Sequence, residues 1–211
     1  MEKKENRFVG RLENKVAIVT GGAKGIGYVT CNTFSREGAS VVIVDMDKEA
    51  AEKAAQEIND KGGKALAVAA NLTVAEEREA IFAKAVEKFG KVDILINNAG
   101  WGCKTPFLEM TEEPFDRSIN LNMKATYFMI QLACKQMIKQ GTGGRIVSTS
   151  STAAFQGEKN GSIYSGTKAA IIAFSRAIAL EVGQYGINVN CVAPGFTRTN
   201  NNGHIPGSID E

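Results

Sequence analysis

Short runs of β-branched residues alternate along the chain with longer stretches of helical periodicity, and in each pair the strand comes first. The runs Val16-Ala17-Ile18-Val19, Val41-Val42-Ile43-Val44, Ala65-Leu66-Ala67-Val68, Val92-Asp93-Ile94-Leu95-Ile96, Arg145-Ile146-Val147-Ser148 and Ile187-Asn188-Val189-Asn190-Cys191-Val192 predict six strands. Most are apolar on both faces, as parallel strands covered by helices must be. Helical stretches begin near Gly25, Lys48, Val74, Thr111 and Ile163, and turn residues such as Gly38, Gly62-Gly63, Gly90 and Gly186 follow them. Repeated βαβ units with right-handed crossovers predict an α/β fold of the Rossmann type: a doubly wound parallel sheet, strand order 3-2-1-4-5-6, with helices on both faces.

Two helices are more apolar than a surface helix needs, around Ala125-Thr126-Tyr127-Phe128-Met129-Ile130 and Ala169-Ala170-Ile171-Ile172-Ala173-Phe174. A sheet covers one face of each, so the remaining faces predict a homodimer or homotetramer. A length of 211 residues suits one dinucleotide-binding and catalytic domain over 1–211. Residues 1–11 read as a charged N-terminal extension and 200–211 as a flexible polar tail.

Charge narrows the partners. The 25 basic and 23 acidic residues are scattered, leaving a formal net charge of +2 and no single-sign field for nucleic acid or membrane. The expected partner is a small molecule. The start, Met1-Glu2-Lys3-Lys4-Glu5-Asn6-Arg7, has no long apolar run behind it, which predicts a cytoplasmic protein without signal peptide or membrane helix. Cys31, Cys103, Cys134 and Cys191 form no Cys-x-x-Cys pair, so no disulfide framework and no metal site are expected, only buried reduced thiols.

Candidate chemistry begins after the first strand. Thr20-Gly21-Gly22-Ala23-Lys24-Gly25-Ile26-Gly27 is a glycine-rich turn opening into a helix, where free amides and the helix dipole suit a pyrophosphate. Asp45 ends the second strand about 20 residues later, where a carboxylate accepts hydrogen bonds from the adenosine ribose. It would repel a 2′-phosphate. NAD is therefore the expected cofactor, with Lys24 as a partial offset that keeps NADP open. Further on, Tyr164 and Lys168 lie four apart on one helix face, where the lysine charge favours the phenolate.

Thr20-Gly21-x-x-x-Gly25-x-Gly27, Asn97-Asn98-Ala99-Gly100, Ser151, Tyr164-x-x-x-Lys168 and Pro194-Gly195 occur in this order and together resemble the short-chain dehydrogenase/reductase family from about Leu12 to Thr199. The resemblance implies an NAD(P)-dependent oxidoreductase that interconverts a secondary alcohol and a ketone, with Tyr164 as acid/base. Ser151 would hydrogen-bond the substrate oxygen, with Ser148 and Ser150 as neighbouring candidates; strand alternation separates Ser150 from Ser151. Lys168 would also grip the nicotinamide ribose, and Asn122, with Asn120 as its rival, would hold a water in a proton relay. Gly21, Lys24, Gly25, Ile26, Gly27, Asp45, Asn71, Leu72, Asn98, Ala99, Gly100, Tyr164, Lys168, Pro194, Gly195 and Thr199 are the implied cofactor contacts. Asn97 would shape the loop with Gly100, and Asn71 stands where many members carry an Asp that meets adenine.

Trp101, Phe107, Phe155 and Phe196 suggest an apolar, alicyclic or 3-oxoacyl substrate. The pattern is similar to 3-oxoacyl carrier-protein reductases and glucose and alicyclic-alcohol dehydrogenases. Members of the family continue past the position of Thr199 into a helical lid and a last strand, whereas this sequence ends at Glu211. That leaves a fragment or a short variant with an open substrate side and an exposed sixth strand. His204, the single histidine, reads as a solvated loop residue. The competing functional class is a dinucleotide-binding regulator or structural protein without turnover. Intact Ser151, Tyr164 and Lys168 argue against it.

Overall fold

A computed structural model describes residues 10–197 and 199. Six parallel strands form one sheet in the order β3-β2-β1-β4-β5-β6, as the sequence predicts. They are β1 Val16–Thr20, β2 Ser40–Asp45, β3 Lys64–Ala69, β4 Ile94–Asn97, β5 Gly144–Thr149 and β6 Ile187–Val192. β4 starts later than the apolar run suggests. Val92 and Asp93 precede the strand, where the Asp93 carboxylate accepts the Val16 amide at 2.8 Å and pairs with Lys91 at 3.0 Å. β6 stands at the edge of the sheet formed by the described residues.

Strand alternation divides the interior into two cores. Ile18, Val42 and Val44 face one layer, with Ile81 and Phe82 of α3 (Ala75–Phe89) and Met129, Ile130 and Met137 of α5 (Thr126–Gln140). Ala17, Val19, Val41 and Ile43 face the other, with Cys31 of α1 (Gly25–Arg36) and Ala51, Ala54 and Ile58 of α2 (Lys48–Asp60). The small α2 residues let that helix lie close against β2 and β3.

The helix expected from Thr111 starts with α4 (Glu112–Ser118) and runs into α5 through a wide π-helical stretch, Ile119–Ala125. Next come the short α6 (Ala153–Gln156) and α7 (Ser162–Val182), whose buried stripe is Thr167, Lys168, Ile171 and Ser175. The two apolar helices partly satisfy each other, because Tyr127 meets Phe174 edge-to-face at 5.4 Å. Leu180 nevertheless stays 88% exposed.

Of the expected buried thiols, Cys31, Cys103 and Cys134 are buried but Cys191 is only half-buried, a correction that follows from its place on the edge strand. Burial pushes the Cys31 thiol up to about 12 and that of Cys134 to about 11, so both stay protonated near neutrality. Arg11, read from sequence as part of a loose extension, is tied to Glu37 by its guanidinium at 3.2 Å. The rest of that extension through residue 9, the tail 200–211 and His204 lie outside the described residues. Among the described residues no helix is long and apolar enough to cross a membrane.

Candidate active site

Helices leave β1 and β4 toward opposite faces of the sheet, opening a crevice at the carboxyl ends of the strands. A cleft of about 910 Å³ lies there. It is lined by Gly21, Lys24, Gly25, Ile26, Asp45, Asn71, Leu72, Asn98, Ala99, Gly100, Ser151, Tyr164, Lys168, Pro194, Gly195 and Thr199. Residues far apart in sequence are thus brought to one cleft. Gly27 and Asn122, also expected at the site, do not line it.

The turn after β1 needs its glycines. Gly21 has φ +60°, and a Cβ on Gly27 would lie 2.0 Å from the Gly21 carbonyl oxygen. Gly27 is therefore required for packing the turn. Lys24, the N-cap of α1, provides no side-chain cap, so first-turn amides remain for an anionic ligand. Thr20 Oγ1 accepts the Asn98 and Ala99 amides at 3.0 and 3.1 Å, while Asn98 Nδ2 donates to the Thr20 and Gly21 carbonyls. The loops after β1 and β4 are locked together before any ligand arrives. An amide-rich turn without obstructing side chains fits the pyrophosphate of a dinucleotide.

Asp45 also shapes this end of the cleft. Its Oδ2 accepts the Ala23 amide and its Oδ1 the Asp47 amide, each at 3.2 Å. Asn71 Oδ1 accepts the Thr73 amide and hydroxyl at 3.0 and 2.8 Å, so its carbonyl is held in the loop and its NH₂ is the group able to meet a base.

At the other end, β5 runs into the catalytic candidates. Ser148 is fully buried and accepts from Asn97 Nδ2 at 3.2 Å. Ser150 is buried and donates to the Lys168 carbonyl at 2.8 Å. Ser151 is half-buried on the cleft wall, its Oγ accepting the Ala153 amide at 3.2 Å. The three serines are therefore distinguished by environment, and Ser151 is the accessible one. Lys168 Nζ lies 5.6 Å from the centre of the Tyr164 ring and donates to the Thr149 carbonyl at 2.7 Å. Burial lowers its ammonium from the ordinary lysine value to about 8.

Asn122 sits on the π-helical stretch, fully buried. Its Oδ1 accepts the Trp101 amide at 2.8 Å, and its Nδ2 donates to the Trp101 carbonyl at 2.9 Å and to Thr167 Oγ1 at 3.3 Å. These contacts tie its side chain to protein partners and fix its place beside Gly100 and Lys168. Gly100 keeps room beside it: a Cβ there would lie 3.3 Å from Asn122 Oδ1 and 3.4 Å from Lys168 Nζ.

The expected aromatic overhang is corrected. Phe196 lines the cleft, but Trp101, Phe107 and Phe155 do not. Arg117 covers the Trp101 ring at 4.2 Å, and Phe107 and Phe155 are 75% and 68% exposed. The wall near Ser151 instead carries Thr152, Gln156 and Glu158, with Lys104 bonded to Glu158 at 2.9 Å. Asp47, Lys104, Arg117 and Glu158 are absent from the motif-based site. Only Asp47 left a sequence signal, as an N-cap residue directly before a helix at the mouth of a strand.

A model of the short chain dehydrogenase family matches residues 15–208. The chain is 39% identical over 185 residues to the sorbitol dehydrogenase of Cereibacter sphaeroides, covering 88% of this chain and 71% of that protein. It is 40% identical over 193 residues to a hydroxynaphthalene reductase-like protein of Metarhizium majus, covering 89% and 70%. The crystal structure of an NAD⁺-bound xylitol dehydrogenase superposes with a TM-score of 0.85 at 34% identity, covering 88% of this chain and 72% of that one.

Proposed function

The chain belongs to the short-chain dehydrogenase/reductase family of NAD(P)-dependent oxidoreductases, and from that premise we propose that it interconverts a secondary alcohol and a ketone with Tyr164 as acid/base. The observation that carries this reading is that Ser151, Tyr164 and Lys168 all line the cleft that also takes in the glycine-rich turn. A nicotinamide cofactor, held by the glycine-rich turn, Asp45 and Lys168, would supply the hydride acceptor for alcohol oxidation and the hydride donor for ketone reduction. Ser151 Oγ holds the substrate oxygen. The Tyr164 hydroxyl gives that oxygen a proton during reduction, and its phenolate takes the proton back during oxidation. Lys168 stabilises the phenolate electrostatically and offers the nicotinamide ribose a donor. Asn122 acts as a positioning residue that fixes the Trp101 loop beside Lys168.

NAD is the preferred cofactor on this reading, because Asp45 lines the adenosine end and the xylitol dehydrogenase neighbour is NAD⁺-bound. The substrate is a polyol or sugar. Thr152, Gln156 and Glu158 supply hydroxyl-bonding groups near Ser151, and the sorbitol and xylitol dehydrogenases carry this chemistry in their names. A ring-bearing or 3-oxoacyl substrate is the second reading, favoured by Phe196 on the cleft wall and the hydroxynaphthalene reductase-like relative. Exposed Tyr127, Ile138 and Leu180 on α5 and α7 support a homodimer or homotetramer, which light scattering would test.

The deciding experiment follows NADH absorbance with polyols, sugars, bicyclic ketones and 3-oxoacyl thioesters, comparing the parent with Tyr164→Phe. Turnover of polyols by the parent and loss of about 100-fold or more in the variant is the expected result. Equal turnover by Tyr164→Phe would remove the acid/base assignment. Preference for bicyclic or acyl substrates would select the second reading.

A further inference from the structure

Lys24 is the only lysine or arginine among the described residues lining the adenosine end of the cleft, with Gly21, Asp45, Met46 and Asn71 around it. Its ammonium is already held: Nζ lies 2.7 Å from Asp47 Oδ2. The second Asp47 oxygen accepts the Ala50 amide at 3.0 Å as the N-cap of α2, and its own amide is held by Asp45. The carboxylate is thus anchored by backbone on one side and offers its other oxygen to Lys24. Neighbouring Lys48 turns to Glu52 at 3.8 Å and does not compete for Asp47.

We propose that Asp47 is a second determinant of cofactor choice, which acts by holding the Lys24 ammonium away from a 2′-phosphate on the adenosine ribose. Rather than repelling that phosphate alone, Asp47 removes its nearest cationic partner. The inference rests on the NAD-preferring reading of the site and adds to Asp45 a residue that reaches the ligand only through Lys24. Two carboxylates and one ammonium leave this end of the cleft net negative, which suits a ribose carrying free hydroxyls. The pairing holds the Lys24 ammonium above the ordinary lysine range and the Asp47 carboxyl below the ordinary carboxylate range, so both stay charged through neutrality. Protonation near physiological pH does not release the lysine.

The test measures dissociation constants of NADH and NADPH by nucleotide fluorescence in the parent, Asp47→Asn, Lys24→Ala and the double variant. Asparagine keeps an N-cap oxygen for the Ala50 amide while removing the charge, so α2 retains its start. Asp47→Asn is expected to tighten NADPH binding about tenfold, the scale of one added charge-assisted hydrogen bond, with a much smaller change for NADH. In the Lys24→Ala background the same substitution should leave NADPH binding within about twofold of Lys24→Ala alone. No gain in Asp47→Asn would overturn the proposal. A gain that persists without Lys24 would overturn it too, because Asp47 would then act by direct repulsion. Tighter NADPH than NADH binding by the parent would instead remove the underlying NAD preference, and the four-variant comparison would still decide the role of Asp47.

Discussion

Asn122 and Trp101 are joined by two reciprocal hydrogen bonds, the Trp101 amide donating to Asn122 Oδ1 at 2.8 Å and Asn122 Nδ2 donating to the Trp101 carbonyl at 2.9 Å. One side chain on a helix thereby replaces the backbone partners of a loop residue 21 positions earlier. The wide π-helical turn at Ile119–Ala125 carries that side chain to the end of β4.

Asn122→Ala should therefore lower the unfolding free energy by about 1–3 kcal/mol, since it leaves the part-buried backbone groups of Trp101 without their Asn122 partners. Asn120→Ala, at a half-buried position, should change it by less than about 1 kcal/mol. Urea denaturation of both variants checks the difference. Equal losses would mean that the loop is held by something other than Asn122.

Gly27→Ala tests packing of the turn. The added methyl meets the Gly21 carbonyl oxygen, which belongs to the backbone and has little room to give. A destabilisation of about 1–3 kcal/mol is expected, together with weaker NADH binding as the turn opens. Unchanged melting temperature and unchanged NADH affinity would show that the turn adapts.

The strand order was legible because most strands carry a short β-branched or apolar run and turn residues follow the helices between them, so that βαβ connectivity leaves one common topology. The Tyr164 and Lys168 pairing was legible for a similar reason, being local to one helix. What lies between distant segments was not. Lys24 and Asp47 are 23 positions apart in sequence, and no periodicity joins them. Trp101 looked like a cleft aromatic, but Arg117, on a neighbouring helix, covers its ring. Nor does an apolar pattern distinguish a π turn from an α turn, so the placement of Asn122 away from the cleft waited on the backbone. Strand alternation already set Ser150 apart from Ser151, but the buried partners that occupy Ser148 and Ser150 are seen only in the structure.

Asp45→Ala should shift the ratio of NADPH to NADH affinity toward NADPH by about tenfold or more, by removing a ribose acceptor and a negative charge together. The same change withdraws an acceptor from the Ala23 and Asp47 amides, so a fall of a few degrees in melting temperature should accompany it. Isothermal titration with both nucleotides reads the first effect and calorimetry the second. A ratio that does not move would assign Asp45 to the turn alone.

Lys168 makes stability depend on pH in an unusual direction. Burial lowers its folded-state value from 10.5 to about 8, while the unfolded chain keeps the ordinary value. Below about pH 8 the lysine is charged in both states, and the folded protein bears the full desolvation penalty. Between about 8 and 10.5 the unfolded chain binds the proton more often than the folded one, so this residue's contribution to stability rises with pH. The total rise is at most about 3 kcal/mol. Because other lysines and tyrosines titrate in the same range, the measurement is the difference between the parent and Lys168→Met, whose unbranched side chain fills similar space without a charge. Relative to Lys168→Met, the ligand-free parent should gain stability as urea unfolding is followed from pH 7.5 to about 10.5. Parallel profiles would mean that the ammonium is solvated well enough, through Thr149 and the cleft, to escape the penalty.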